Sequence, residues 1–433
     1  MTTPLPVSTS PDDASSRALA MSTIAFTVCF AVWTIFSIIG VRIKEELGLT
    51  ETQFGLLVGT PILTGSLVRI LLGIWTDRFG GRLVYTVTML AAAASTFLLA
   101  FAHTYTQMLV AALGVGLAGG SFAVGVAYVS RFYPTEKQGT ALGIFGVGNV
   151  GAAVTKFAAP FVLLAWGWQN VAVIWACVLT FMALIFWFGT EDDPVIRERR
   201  AGRGAPKNFW QEFAPLKNLQ VWRFGLYYFF VFGGFVALAL WLPRYLIGVY
   251  GFDIATAGMI GAAYSIPASI FRAYGGVLSD RLGARAVLYW TFVVSVVCCV
   301  VLALPATDYA VRGIDGPIAF HFEIGWLAFI AIAFVLGFFM AIGKAAVYKH
   351  IPVYYPDSVG AVGGLVGMIG GLGGFVLPIA FGALNDLTGV WSSCFMLLFL
   401  VVAACLAWMH AAILRMNRDA ATARTPSLVA AAE

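Results

Sequence analysis

Twelve long, predominantly apolar segments follow one another along this chain, at 20–40, 54–74, 83–102, 107–130, 138–164, 168–189, 221–247, 256–278, 286–305, 324–348, 358–384 and 389–414. No other feature limits the possible folds so sharply. A helix of about 20 apolar residues crosses the roughly 30 Å hydrocarbon core of a bilayer. In lipid, backbone polar groups need internal partners, so a span is either helical or part of a closed barrel. Segments of this length, without alternating polarity, predict helices. The expected fold is an all-α membrane protein with twelve transmembrane helices. Charged residues make up only 11% of the 433, against about 25% in soluble domains.

Lys and Arg set the expected orientation. An even number of spans puts both termini on one side. The loops on that side carry Arg78, Arg82, Arg131, Lys137, Arg281, Arg285 and Lys349, and the stretch 190–220 adds Arg197, Arg199, Arg200, Arg203, Lys207 and Lys217. The opposite loops are nearly bare: Arg42 and Lys44 adjoin Glu45 and Glu46, and Arg312 lies between Asp308 and Asp315. Both termini are therefore expected in the cytoplasm of a bacterial cell, with the protein multi-pass in the inner membrane. The polar start, Pro4 to Ser16, lacks the basic region of a cleaved signal peptide. All six cysteines fall inside apolar spans without metal-ligand spacing, which suits small apolar residues. The net charge of +5 is the loop bias and implies no nucleic-acid partner.

The chain contains an internal duplication. Gly73-Ile-Trp-Thr-Asp77-Arg78-Phe-Gly80-Gly-Arg82 returns as Gly276-Val-Leu-Ser-Asp280-Arg281-Leu-Gly283-Ala-Arg285, 203 positions later, and Arg69 returns as Arg272 at the same offset. Further on the offset is 222: Phe132-Tyr133-Pro134 matches Tyr354-Tyr355-Pro356, and Gly148-Asn149-Val-Gly151 matches Gly370-Gly371-Leu-Gly373. A longer loop at 305–323 absorbs the difference. The expected organisation is a tail at 1–19, a six-helix bundle at 20–189, a linker at 190–220, a second bundle at 221–414 and a tail at 415–433. Internal repeats of this kind place a substrate site between the halves near the midplane.

The repeated loop, G-x-x-x-D-R-x-G-x-R between the second and third spans, resembles the signature of the major facilitator superfamily, and the resemblance extends over nearly the whole chain. It implies two pseudo-symmetric six-helix bundles. In this loop glycine permits close helix approach, and Asp77 can meet basic side chains at a helix end.

A charge inside a span costs roughly 2.5–3.5 kcal/mol on insertion scales and marks a functional candidate. Four stand out, Arg69, Lys156, Arg272 and Lys344, and all are positive; Asp77, Asp280, Glu323 and Asp386 lie near span ends. A cavity lined by cations without counter-ions calls for an anion. Arg69 precedes Asp77 by eight residues, about 12 Å along a helix, which puts both arginines near the midplane. Snorkelling to the headgroups or clamping the fold is the competing reading. A guanidinium donates two parallel hydrogen bonds to a planar oxyanion. It does not release its proton, so release of cargo must come from rocking of the halves.

Span five reads Gly143-Ile-Phe-Gly146-Val-Gly148-Asn149-Val-Gly151, and span eleven carries Gly363, Gly364, Gly367, Gly370, Gly371, Gly373 and Gly374. Glycines so spaced serve helix packing, whereas Asn149 brings two amide donors into an apolar helix. These glycine-rich spans, with one arginine in each of spans two and eight, resemble the nitrate/nitrite porter family (the NarK type). The resemblance implies that Arg69, Arg272 and Asn149 bind the anion, with Gly371 in the matching span-eleven signature. It also implies an aromatic sandwich from spans four and seven: Phe122 as one wall, Phe232 as the other, Tyr228 as a hydrogen-bond donor. Without it, these aromatics read as ordinary packing.

Lys156 lies two turns beyond Asn149, on the same face, and Lys344 takes the repeat position of Phe122. A buried lysine can lose a proton where an arginine cannot. One of them is therefore a candidate proton carrier for nitrate:proton symport; fixed positive charge supporting nitrate/nitrite exchange is the alternative. A porter of formate, oxalate or a phosphate ester would also use paired cations. An enzyme lacks material, since His103, His321, His350 and His410 are scattered. The expected partners are nitrate, nitrite, protons and the bilayer, with no cofactor and no metal, and a monomer suffices.

Overall fold

A computed structural model describes residues 11–194, 196–197, 217–354 and 359–429. Among them, twelve helices are long and apolar enough to cross a membrane: Asp13–Leu47, Glu51–Gly73, Gly81–Leu99, Tyr105–Ser130, Ala141–Trp166, Trp168–Gly189, Leu219–Tyr250, Ile254–Leu282, Ala284–Leu302, Trp326–Ile351, Val362–Thr388 and Ser393–Arg418. They are numbered one to twelve in that order below. Most of the expected linker (195 and 198–216), the outer ends of both tails (1–10 and 430–433), and Tyr355 with Pro356 lie outside the described residues.

The segments read from hydropathy mark the spans, and their ends differ. The first helix begins at Pro11 and the last runs to Val429, into the stretches read as tails. A larger departure lies at 305–323, expected as a loop in an all-helical fold. It holds two antiparallel strands, β1 (Thr307–Gly313) and β2 (Gly316–Phe322), paired from Thr307–Phe322 to Gly313–Gly316.

Packing between residues before and after the linker runs through spans two and eleven, five and eight, and one and seven. Spans two, five, seven, eight and eleven each contain an internal proline (Pro61, Pro160, Pro243, Pro267, Pro378), which breaks a backbone hydrogen bond and bends the helix. Close approach depends on glycine. A Cβ on Gly55 would collide with the Pro378 carbonyl, and one on Gly382 with the Glu51 carbonyl.

These contacts lie at the face away from the termini, where polar bonds also cross between the halves. Asp386, at the end of span eleven, accepts from the backbone N–H groups of Glu51 (3.0 Å) and Thr52 (2.8 Å) at the start of span two. The Glu51 carboxylate pairs with Arg244 at 2.5 Å and Lys44 at 3.4 Å. Toward the terminal face, a Cβ on Gly143, Gly276 or Gly364 would meet nothing within 4 Å. The two halves are thus drawn together at one face.

Candidate functional site

Two helical irregularities shape the region between the halves. Span five tightens into a 3-10 turn at Val147–Val150, which carries Asn149. Span seven widens into a π turn at Phe229–Gly234, directly after Tyr228 and carrying Phe232. Such interruptions are frequent at functional sites. The π turn sits against the glycine run of span eleven: a Cβ on Gly233 would lie 2.6 Å from the Gly370 carbonyl, and one on Gly370 would strike the Tyr228 ring.

Arg69 is buried in span two at 7% exposure. Its guanidinium carbon lies 5.7 Å from the Trp33 ring, 5.4 Å from Phe122 and 5.6 Å from Phe232. Arg272 lies 5.8 Å from Phe122 and 5.8 Å from Tyr348. The two guanidinium groups therefore share Phe122, and each gains attraction from aromatic faces. Tyr228 stacks on Phe232 (5.1 Å, 8°) and meets the edge of Tyr348 (4.9 Å, 72°). Of the residues predicted from sequence, Arg69, Arg272, Phe122, Phe232, Tyr228 and Gly371 are brought together here. Asn149 stands one turn beyond Gly146, where a Cβ would come within 3.6 Å of the Arg272 side chain.

The hydrogen-bond inventory of this cluster is lopsided. Arg69 Nη1 donates to the Gly367 carbonyl at 3.2 Å. Arg69 Nε, Arg272 Nη1, the Ser66 hydroxyl and both polar atoms of Asn149 are buried and have no hydrogen-bond partner among the described residues. Unsatisfied buried donors are uncommon and call for an explanation. Gly371 is held open for the same region, since a Cβ there would strike the Ser66 hydroxyl and approach Arg69 Nη1 to 3.5 Å. Donors converging from both halves, with no carboxylate bonded to them among the described residues, suit a small anion.

Lys156 and Lys344 are fully buried. Lys156 Nζ donates to the Ser265 hydroxyl of span eight at 2.8 Å and to the Ala152 carbonyl at 3.3 Å. Lys344 Nζ donates to the Ala268 carbonyl at 2.6 Å and sits 3.6 Å from the Phe235 ring centroid. Among the described residues neither lysine forms an ion pair.

Sequence reasoning missed Trp33, Ser66 and Tyr348, because each reads as a routine apolar-span residue until the helices are assembled. The sole early signal was weak: Tyr348 follows Lys344 by one helical turn. It also missed Asp193. This buried carboxylate accepts from Arg131 at 3.1 Å and from the Gly81 N–H at 3.2 Å, organising the first signature loop. Arg82 donates to the Trp187 carbonyl (3.0 and 2.6 Å), and Arg285 to the Tyr354 hydroxyl at 3.3 Å. Asp280 pairs with Lys349. Gly73 and Asp77 lie on the helix of span two, Gly276 and Arg281 on that of span eight, and Arg78 is exposed; the Asp77 side chain is outside the described residues.

Residues 21–320 and 255–430 match the family model of the Major Facilitator Superfamily. A Thermus thermophilus protein, "Probable nitrate/nitrite antiporter NarK1", is 42% identical over 418 residues, covering 94% of this chain and 93% of that one. The Staphylococcus aureus (strain N315) protein "Probable nitrate transporter NarT" is 31% identical over 390 residues, covering 90% and 93%. The Bacillus subtilis (strain 168) "Nitrite extrusion protein" is 29% identical over 398 residues, covering 90% and 94%. Among solved structures, a bacterial homolog of the human lysosomal transporter Spinster, inward-facing and occupied, superposes with a TM-score of 0.68 at 18% identity, covering 95% of this chain and 98% of that one. That likeness concerns the fold.

Proposed function

Since this chain belongs to the nitrate/nitrite porter family of the major facilitator superfamily, we propose that it carries nitrate, and nitrite with it, across the bacterial inner membrane by alternating access. It is a multi-pass membrane transporter; the substrate, the membrane, the cytoplasmic placement of both termini and a monomeric working unit belong to the proposal. One observation supports the reading above all: two arginines from opposite halves share the Phe122 ring and keep donors unpartnered among the described residues, as do Ser66 and Asn149. A planar oxyanion between Phe122 and Phe232 would accept from those donors while the aromatic faces exclude bulkier solutes. Because the arginines hold their protons, release follows separation of the halves.

Within this reading the transport is nitrate:proton symport, with Lys156 or Lys344 as the proton carrier. Among the described residues both ammonium groups donate only to neutral oxygens, so losing a proton leaves no carboxylate there without its partner. Nitrate/nitrite exchange is the second reading, favoured by the name of the 42%-identical relative. Nitrate uptake into proteoliposomes, driven by an inward proton gradient with and without internal nitrite, separates them. Gradient-driven uptake in nitrite-free vesicles, lost in Lys156→Gln or Lys344→Gln, is the expected result. Uptake only against internal nitrite would overturn symport, and no uptake of either anion would overturn the substrate.

A further inference from the structure

The β1–β2 hairpin joins span nine to span ten at the face away from the termini, and the transport site makes no use of it. Its strands alternate cleanly. Tyr309 and Val311 of β1 share one face with Ile318, Phe320 and Phe322 of β2, while Asp308, Ala310 and Arg312 share the other with Ala319 and His321. The apolar residues are 37–59% exposed, and Tyr309 stacks on Phe320 at 5.1 Å. An isolated two-stranded hairpin is marginal in water and needs something to cover an apolar face. A contiguous exposed apolar patch marks an interaction surface.

The surroundings say what covers this one. The strands are tethered closely to the bilayer, because β1 begins soon after span nine ends at Leu302 and β2 stops just before Trp326 opens span ten. The base is pinned by the Tyr250 hydroxyl, which donates to the Ile324 carbonyl at 2.9 Å. Leu304 (44%), Trp326 (46%) and Leu327 (66%) are exposed at those same span ends, so the lipid-facing belt continues into the strands. Tyr and Trp concentrate where a ring sits at headgroup level.

We propose that the hairpin lies on the bilayer beside span ten, with the Tyr309–Val311–Ile318–Phe320 face on lipid at headgroup depth and the Asp308–Arg312–His321 face in water. The test uses the full chain with the exposed Cys177 changed to Ala, in phosphatidylcholine–phosphatidylglycerol vesicles. Single spin labels go on Val311→Cys, Ile318→Cys and Phe320→Cys, and on the opposite-face variants Ala310→Cys and Ala319→Cys. The ratio of accessibility to molecular oxygen over a water-soluble nickel chelate is expected to be several-fold higher on the first set. Having three positions on the apolar face keeps the comparison intact if one substitution disturbs the strand. Equal ratios on the two faces would overturn lipid contact. So would spin–spin broadening between copies at Val311, which would assign the face to a second chain.

Discussion

At the scale of single residues, geometry separates the charge of Arg69 from its shape. One nitrogen is committed to the Gly367 carbonyl and another, Nε, is buried without a partner among the described residues. Arg69→Lys keeps the charge but loses the planar fork. Hydrogen bonds to charged groups are worth about 1.5–3 kcal/mol, so nitrate affinity is expected to fall roughly 10- to 100-fold in a calorimetric titration. Unchanged affinity would remove the bidentate argument. Gly371→Ala drives a methyl into the Ser66 hydroxyl, and overpacking typically costs about 1–3 kcal/mol. Transport by this variant should drop, and Ser66→Gly in the same chain should restore part of it; a double variant no better than the single would detach Gly371 from Ser66. The arginines were legible in the sequence because a charge within a span is conspicuous. Ser66, Trp33 and Tyr348 were not, since their importance comes from neighbours on other helices and, for Ser66, in the other half of the chain.

Among the elements, the spans were legible because lipid imposes a single solution on every backbone group. The hairpin had its own signal, a period-two alternation closed by Asp315-Gly316, but it was read only as extra loop length between repeats. Its base carries a titratable contact. His321 Nδ1 is 2.7 Å from Asp308 and Nε2 is 3.5 Å from Glu323. The hydrogen bond to Asp308, then that to Glu323, raises the His321 pKa above its ordinary value. A raised folded-state value means that the stabilisation is complete below the unfolded pKa of about 6.5 and is lost as pH rises through the folded one. Amides of β1 and β2, corrected for intrinsic exchange, should therefore be better protected at about pH 5 than at about pH 8. Asp308→Asn should flatten the difference, and a wild-type hairpin equally protected at both would dismiss the contact as inert.

For the molecule as a whole, the duplication predicted where the halves meet, but nothing in a sequence fixes which face is shut. The two arrangements of such a transporter share one covalent chain and differ by a few kcal/mol. The structure supplies the missing term as a latch. Asp386 caps the start of span two through the Glu51 and Thr52 N–H groups, and Arg244 bonds the Glu51 carboxylate across the same seam. Each bond joins residues from before and after the linker, so opening this face breaks all of them together. The negative charge of a carboxylate at a helix N-terminus is worth about 0.3–1 kcal/mol, and every 1.4 kcal/mol shifts a two-state ratio about tenfold. Asp386→Asn removes the charge while keeping the shape. It should raise the population open at this face by roughly two- to fivefold. Spin labels on Glu45→Cys and Leu387→Cys, both exposed at this seam, would report that as growth of the longer-distance component in pulsed dipolar spectra. If Asp386→Asn leaves the distance distribution unchanged, the seam is held by glycine packing and the polar bonds do not latch it.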